Sequence, residues 1–563
     1  MDMYVDRNKW PSKNGKTYES IYLRESYREG PKVKKRTIAN LTHCRPEEID
    51  AIEMALKNKN DLSVLGSTKS VQLVQGPRMG AVFVLYQAAK RLGIEKALGQ
   101  DHSGKLALWQ VLARVMDQGS RLSAVRLAKR YGAAETLRLD HGFDEDALYQ
   151  NLSWLAENQE KIEKRLFTAR LGSRKPRLFL YDVTSSYLEG DQNELADWGY
   201  NRDKKKGKKQ IVIGLLCDED GSPVSTEVFA GNTSDLCTFE SQVKKAAGRF
   251  GCERVTMVGD RPSPELWPEI RGMIKSDQIS DLEKAGFNYI TAITKAQIRS
   301  LIKKKVFQLG LFDEHLCEVE HGGVRYILRR NPIRAEEMAQ NRVERLAVLQ
   351  KLAEDRNAYL AEHPRADSHR AWRLVIDKCD QLGLESFVTV RAEERRVILE
   401  VDEEYLAEIA GLDGCYALKT DLPSEAANAE ILHDRYKDLA KVEQGFRTMK
   451  TDHLKVRPIF VRTEANTRGH VLVVMLAYLI VRELRQAWAK LDLKVEEGLD
   501  ILKGLSAVEM KIKGGGSCLR IPKPDRETER LLEALGVKLP AVWPKASAIV
   551  DTRKKLPLRR KRT

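Results

Sequence analysis

The sequence holds no paired-cysteine motif. Its eight cysteines (44, 217, 237, 252, 317, 379, 415 and 518) form no Cys-x-x-Cys pair and no metal-ligand spacing with histidine. That argues against a disulfide framework and against structural zinc, and fits scattered reduced thiols in a cytosolic protein. The first ten residues, MDMYVDRNKW, contain no apolar signal core. The longest apolar run, Val471 to Val481, is 11 residues. A bilayer span needs about 20, so this run reads as a buried helix and no membrane partner is expected. Gly514-Gly515-Gly516 lacks the Lys-Ser/Thr of a phosphate loop. No nucleoside-triphosphate site is expected there.

What is plentiful is positive charge. Lys and Arg number 96 against 81 Asp and Glu, giving +15 and a pI near 9.2. A basic excess of this size favours a polyanionic partner, with nucleic acid first. At 563 residues the chain exceeds one compact core, so two to four domains are expected.

Six stretches differ in pattern. Residues 1–75 carry short alternating runs punctuated by Gly15 and Gly30-Pro31, which suggests a small β-rich module. Residues 78–175 hold amphipathic segments such as Leu106–Val115 and Ser123–Arg130, which predict a helical, DNA-binding domain. A helix-turn-helix is one reading here; a helical packing domain is the plainer one. From 176 to 296 the pattern turns to strands: Leu178–Val183, Gln210–Cys217, Val224–Phe229, Arg254–Asp260 and Tyr289–Ile293, with a helix over Leu236–Arg249. Three antiparallel-type strands, a helix, then alternating strands and helices make the order of a ribonuclease-H-like α/β core. Residues 297–430 interrupt it as an insertion containing a long charged helical stretch, Ile333–Glu362. The core resumes over 431–490. Residues 491–563 read as a helical tail with a basic arm, Arg553 to Thr563.

Three acids draw attention. Asp182 lies inside an apolar strand, where a carboxylate is costly unless paired or metal-bound. Asp260 sits where another strand ends. Tyr436, Glu443 and Lys450 are spaced 7 and 7 apart. Seven residues are nearly two helical turns, so a phenol, an acid and an ammonium would line one helix face. Carboxylates of this kind hold Mg²⁺ or Mn²⁺, and two such ions can activate water and stabilise a leaving 3′-oxygen. Arg202, Lys208 and Lys209 belong to a dense basic run beside the first acid. They are expected to contact a DNA backbone.

Asp182-Val183-Thr184-Ser185, Gly259-Asp260-Arg261 and Tyr436…Glu443…Lys450 resemble the three blocks of DDE-type insertion-sequence transposases. The group most similar carries a Tyr-x2-Arg-x3-Glu-x6-Lys motif, the insertion-sequence-four superfamily. The resemblance is strongest over 176–295 and 430–485. It implies a β-rich insertion domain, and catalytic and metal-binding roles for Asp182, Asp260 and Glu443 with two Mg²⁺ (or Mn²⁺) ions. It implies DNA contacts from Tyr436, Lys450, Arg261 and Arg447. The partners implied are terminal inverted repeats and target DNA, bound by a homodimer in a synaptic complex. The setting implied is cytoplasmic and nucleoid-associated, of bacterial or archaeal type. Two positions depart from the motif. Leu439 stands where the motif has arginine, with Arg435 and Arg447 as substitutes. About ten residues, 262–271, are inserted after Asp260-Arg261. The alternatives are a structure-specific endonuclease on the same fold and an inactive DNA-binding derivative.

Overall fold

The computed structural model describes residues 2–544 except 12–16, 58, 60–70, 140, 173, 175, 191, 200–201, 203–204, 206, 253–254, 260–278, 280–281, 283–285, 314, 451–452, 457–458 and 513–515. Asp260, Arg261, the 262–271 stretch and the basic arm therefore lie outside the described residues. The chain divides into two units. One comprises Met1–Arg170, Thr448–Val456 and Val461–Thr563; the other comprises Leu171–Arg447 and Arg457–Phe460.

The second unit is built on one mixed sheet. Strand Leu178–Tyr187 is buried at every position but Asp182 and Tyr187, and strand Gln210–Asp218 is buried throughout. Continuous apolar runs of this kind are covered on both faces. The sheet order is Cys317–His321, Val324–Arg330, Cys415–Thr420, Asn288–Ala292, Thr256–Gly259, Leu178–Tyr187, Gln210–Asp218, Pro223–Phe229. Leu178–Tyr187 runs antiparallel to Gln210–Asp218, which runs antiparallel to Pro223–Phe229. On its other side it runs parallel to Thr256–Gly259, itself parallel to Asn288–Ala292. The three remaining pairings are antiparallel.

Helix Asp235–Lys244 packs on Leu178–Tyr187. Beneath it Tyr181 is fully buried, its hydroxyl donating to the Thr238 carbonyl at 3.4 Å and its ring meeting Phe239 edge-on at 6.1 Å. Gly214 on the neighbouring strand makes room, because a Cβ there would lie 2.5 Å from the Tyr181 hydroxyl. The helix gives way to a π-turn at Lys245–Arg249, shortening the helix expected to Arg249.

The insertion differs from the β-rich domain that the resemblance implies. Helices Pro332–Glu362 and Ser368–Leu382 dominate it, with one hairpin, Val388–Glu393 against Arg396–Val401. Leu349, Leu360, Val375, Phe387 and Val397 form its core. Strands Cys317–His321, Val324–Arg330 and Cys415–Thr420 belong instead to the main sheet. Strand-forming runs are local signals, whereas the partner each run finds is not.

In the first unit, strands Asp2–Pro11, Thr17–Glu29 and Lys32–Asn40 form a sheet in that order, and helix Pro46–Lys57 packs on the first of them. Helix Glu464–Trp488 packs on helices Gly80–Arg91, His102–Met116 and Glu145–Glu157. It clusters with these rather than with the sheet unit, to which its sequence position assigned it. The approach is close: a Cβ on Gly469 would lie 2.0 Å from the Leu152 carbonyl oxygen. The tail, read as helical, also supplies strands. Ser506–Ile512, Ser517–Arg520 and Val542–Trp543 join Val71–Arg78 in a four-stranded sheet. That pairing joins segments more than 400 residues apart and leaves no local trace.

Candidate functional site

Asp182 is the half-buried acid of an otherwise buried run, opposite Leu215 on the antiparallel neighbour. On the parallel neighbour the register pairs Leu180 with Val258 and Tyr181 with Gly259. Gly259 is the residue before Asp260 in the chain. Asp260 and Arg261 themselves are outside the described residues.

Tyr436 and Glu443, read from sequence as one helix face, lie on two successive helices. Ala429–Lys437 carries Tyr436, and Leu439–Lys450 carries Glu443, Arg447 and Lys450. Asp438 separates them with ψ −17°, and the Lys441 amide donates to the Asp438 carbonyl at 2.9 Å. This is one 3₁₀-like turn within an otherwise helical path. Glu443 and Arg447 are exposed; Tyr436 and Lys450 are half-buried. Lys450 falls in the short segment, Thr448–Val456, that clusters with the other unit.

The first of these helices packs on strands Thr256–Gly259, Asn288–Ala292 and Val324–Arg330. Its anchor is His433, a buried side chain that sequence reading passed over. The His433 Nε2 is within reach of the Tyr416 hydroxyl and lies 3.1 Å from Arg329 Nη1. Burial, then the charges of Lys437 and Arg329, push the His433 pKa down. The ring is therefore neutral and accepts from the guanidinium. Nothing in the sequence distinguishes His433 from any other apolar-face histidine.

The second helix is held at its start by the hairpin between Gln210–Asp218 and Pro223–Phe229. Gly221 there has φ +74°, and a Cβ on it would lie 2.5 Å from Lys441 Cβ. Beyond the helix, Ile459 bridges to Leu188 in parallel, past the far end of Leu178–Tyr187. The Glu443 segment is thus tied near both ends of the strand that carries Asp182.

The motif's missing arginine has a structural reason. Leu439 is 5% exposed and belongs to the core. Of its two substitutes, Arg435 pairs with Asp438 at 3.3 Å, whereas Arg447 is exposed.

The basic run divides by role. Arg202 spans both carboxylate oxygens of Asp235 at 2.6 Å, and Asp235 is buried. The Arg202 amide also donates to Ser185 Oγ at 2.8 Å. This residue fastens its loop to the sheet, a use that a charge-run reading does not foresee. Lys208 pairs with Glu189 at 3.0 Å in a half-exposed setting. Lys209 is half-buried, and its carbonyl accepts from the Leu188 amide at 2.9 Å.

Among the described residues no three His, Cys, Asp or Glu side chains converge on one point. Asp260 is not among those residues. The carboxylate of Asp182 on the central strand is a hard oxygen donor, the kind that suits Mg²⁺ or Mn²⁺. Asp182 is half-buried between the buried Tyr181 and Val183, which fits a ligand role better than a core role.

Two family models match the chain. One, described as the transposase DDE domain, covers residues 173–480. The other, described as the N-terminal domain of IS1634 family transposases, covers residues 8–64. No curated protein matches. Among solved structures, the chain is similar to the Mos1 transposase paired-end complex with left transposon end, at 13% identity. That match spans 34% of this chain and 58% of the Mos1 chain, with a TM-score of 0.14, too low to bear on the fold.

Proposed function

The chain belongs to the DDE transposases of insertion sequences, and from that premise we propose that it cuts and joins DNA at the ends of its own element. Within the family we place it in the Tyr-Arg-Glu-Lys group, the insertion-sequence-four superfamily. Tyr436, Glu443 and Lys450 support that placement; Leu439 is its departure.

One observation carries the reading. The five strands Pro223–Phe229, Gln210–Asp218, Leu178–Tyr187, Thr256–Gly259 and Asn288–Ala292 are adjacent in that order. Neighbours among the first three run antiparallel, and the last two run parallel to the Asp182 strand. This is the order of a ribonuclease-H-like core, and Asp182 lies on its middle strand. The register that sets Tyr181 beside Gly259 supports a shared site for Asp182 and Asp260.

In this reading Asp182, Asp260 and Glu443 would hold two Mg²⁺ or Mn²⁺ ions, which would supply an activated water and charge stabilisation for a leaving 3′-oxygen. Lys450 and Arg447 hold phosphates, lysine as a compact charge and arginine as a planar fork. Tyr436 would offer its hydroxyl to a phosphate near the scissile bond. Lys208 and Lys209 hold the flanking backbone, and Arg202 positions their loop through Asp235. His433 fixes the helix from which Tyr436 projects. The proposed partners are terminal inverted repeats and target DNA, with two copies of the chain in the synapse. The proposed setting is the cytoplasm, at the nucleoid. No helix among the described residues is long and apolar enough to cross a membrane.

A strand-cleavage assay on duplexes ending in the element's terminal repeats tests this. Cleavage should require Mg²⁺ or Mn²⁺ and should be lost in Asp182→Ala, Asp260→Ala and Glu443→Ala. Cleavage by Asp182→Ala and Glu443→Ala at the wild-type rate would remove the proposed site. Cutting without joining to new DNA would favour an endonuclease.

A further inference from the structure

We propose that His453 and Glu496 are positioning residues for Lys450: together they fix the loop that sets the lysine ammonium against a DNA phosphate. The inference rests on the phosphate-binding role proposed above for Lys450. It adds the side chains that hold the lysine in place.

Helix Leu439–Lys450 ends at Lys450, and the chain then folds back on the last helical turn. The Val456 amide donates to the Met449 carbonyl at 2.8 Å and closes the loop. Thr448, Met449, His453, Leu454 and Val456 are buried. Lys455 has φ +42°, a left-handed conformation that a residue with a side chain keeps only where its surroundings impose it. A helix that merely stopped here would take glycine at such a position.

Side chains from helices Glu464–Trp488 and Val495–Gly504 hold this loop. His453 Nδ1 is within hydrogen-bond reach of Glu496 Oε1, in the first turn of Val495–Gly504. The His470 ring hydrogen-bonds to the Val456 backbone. Arg485 Nη2 donates to Thr448 Oγ1 at 3.5 Å. All of these residues belong to the first unit, as Lys450 does. Burial pushes the Glu496 carboxyl up, but its own amide, His453 and Arg485 outweigh that and hold it below the usual range. A carboxylate only accepts, so Nδ1 of His453 carries the shared proton.

His453 is 3% exposed, and its Nε2 is buried with no hydrogen-bond partner among the described residues. An unpaired buried nitrogen costs stability. Leucine would fill the same space without that cost. What the imidazole supplies and leucine cannot is the bond to Glu496, made three residues beyond Lys450. A lysine on an anchored backbone loses less freedom when it meets a phosphate, so more of the contact appears as affinity.

The test is a double-mutant cycle read by fluorescence anisotropy, with the full chain, duplexes ending in the terminal repeats and EDTA, over a salt series. Without divalent ions the readout is independent of catalysis. Each phosphate contact contributes about 0.9 to the slope of log affinity against log salt. Lys450→Ala should lower the slope by about 0.9, and His453→Leu should lower it by a similar amount. Lys450→Ala/His453→Leu should lower it no further than either change alone. Glu496→Leu, at an exposed position, should match His453→Leu. Glu496→Gln keeps an oxygen that accepts from Nδ1 and should restore the wild-type slope. Gly469→Ala, which strains the packing of the same unit, should leave the slope unchanged and so controls for lost stability.

A wild-type slope in His453→Leu and Glu496→Leu, beside a lowered slope in Lys450→Ala, overturns this proposal and leaves the role of Lys450 intact. Additive losses in the double variant overturn it as well. A wild-type slope in Lys450→Ala removes the phosphate contact itself, and the positioning role with it. Coupled losses in a chain that never cuts DNA would sink the proposed catalysis and leave this assignment standing.

Discussion

Tyr181 and Gly259 sit side by side in register on two parallel strands. Each is followed in the chain by an aspartate, Asp182 and Asp260. Asp182→Ala should lower metal-dependent strand cleavage by about 10³-fold or more, the equivalent of several kcal/mol of lost charge stabilisation. Because Asp182 is half-exposed, the melting temperature should scarcely move. Unfolding of the variant, with no separate effect on cleavage, would mark Asp182 as structural.

Arg202 should behave differently from its lysine neighbours. Arg202→Ala strips the buried Asp235 of its bidentate partner and should cost about 2 kcal/mol of stability. It should leave the salt slope of DNA binding nearly unchanged. Lys208→Ala and Lys209→Ala should each lower that slope by about 0.9 with little loss of stability. Denaturant melts and anisotropy titrations on the three variants separate the two roles.

Stability should fall in mild acid. The pKa values of His433 and His470 are both pushed down, His433 by burial and then Lys437 and Arg329, His470 by burial and then Arg114 and Arg121. A lowered folded pKa means that the unfolded chain takes up more protons, so stability is full above the ordinary histidine value of about 6.5 and is lost as pH falls below it. The melting temperature should drop between about pH 7.5 and about pH 5.5. His433→Gln should show a smaller drop, and His470 supplies the remainder. A pH-independent melt would contradict this account of both rings.

Gly469 meets the Leu152 carbonyl at a distance that no side chain can share. Gly469→Ala must push helices Glu464–Trp488 and Glu145–Glu157 apart, at a cost of about 1–3 kcal/mol. A denaturation midpoint equal to wild type would show that the helices can part freely.

The sequence was most readable where burial is two-sided. Leu178–Val183 and Gln210–Cys217 are continuous apolar runs, and both are strands within one to four residues of the expected ends. Asp182 stood out for the same reason: an acid in such a run is costly unless it is paired or metal-bound. Pairings distant in sequence could not be read. Val324–Leu328 and Arg396–Glu400 look alike as strand formers, yet one extends the main sheet and the other makes a separate hairpin. The run Tyr436 to Lys450 kept its helical character, but the turn at Asp438 has no signature beyond an ordinary polar residue. His433 and the Gly221–Lys441 contact, which hold the Glu443 segment, depend on partners from other strands.

The central claim is that Asp182, Asp260 and Glu443 form one divalent-ion site. Electron paramagnetic resonance of Mn²⁺ titrated into the chain with duplex DNA counts the ions directly. The wild type should bind two per chain, and the variant Asp182→Ala/Asp260→Ala/Glu443→Ala should bind neither. A triple variant that takes up Mn²⁺ with wild-type stoichiometry and affinity would contradict the account.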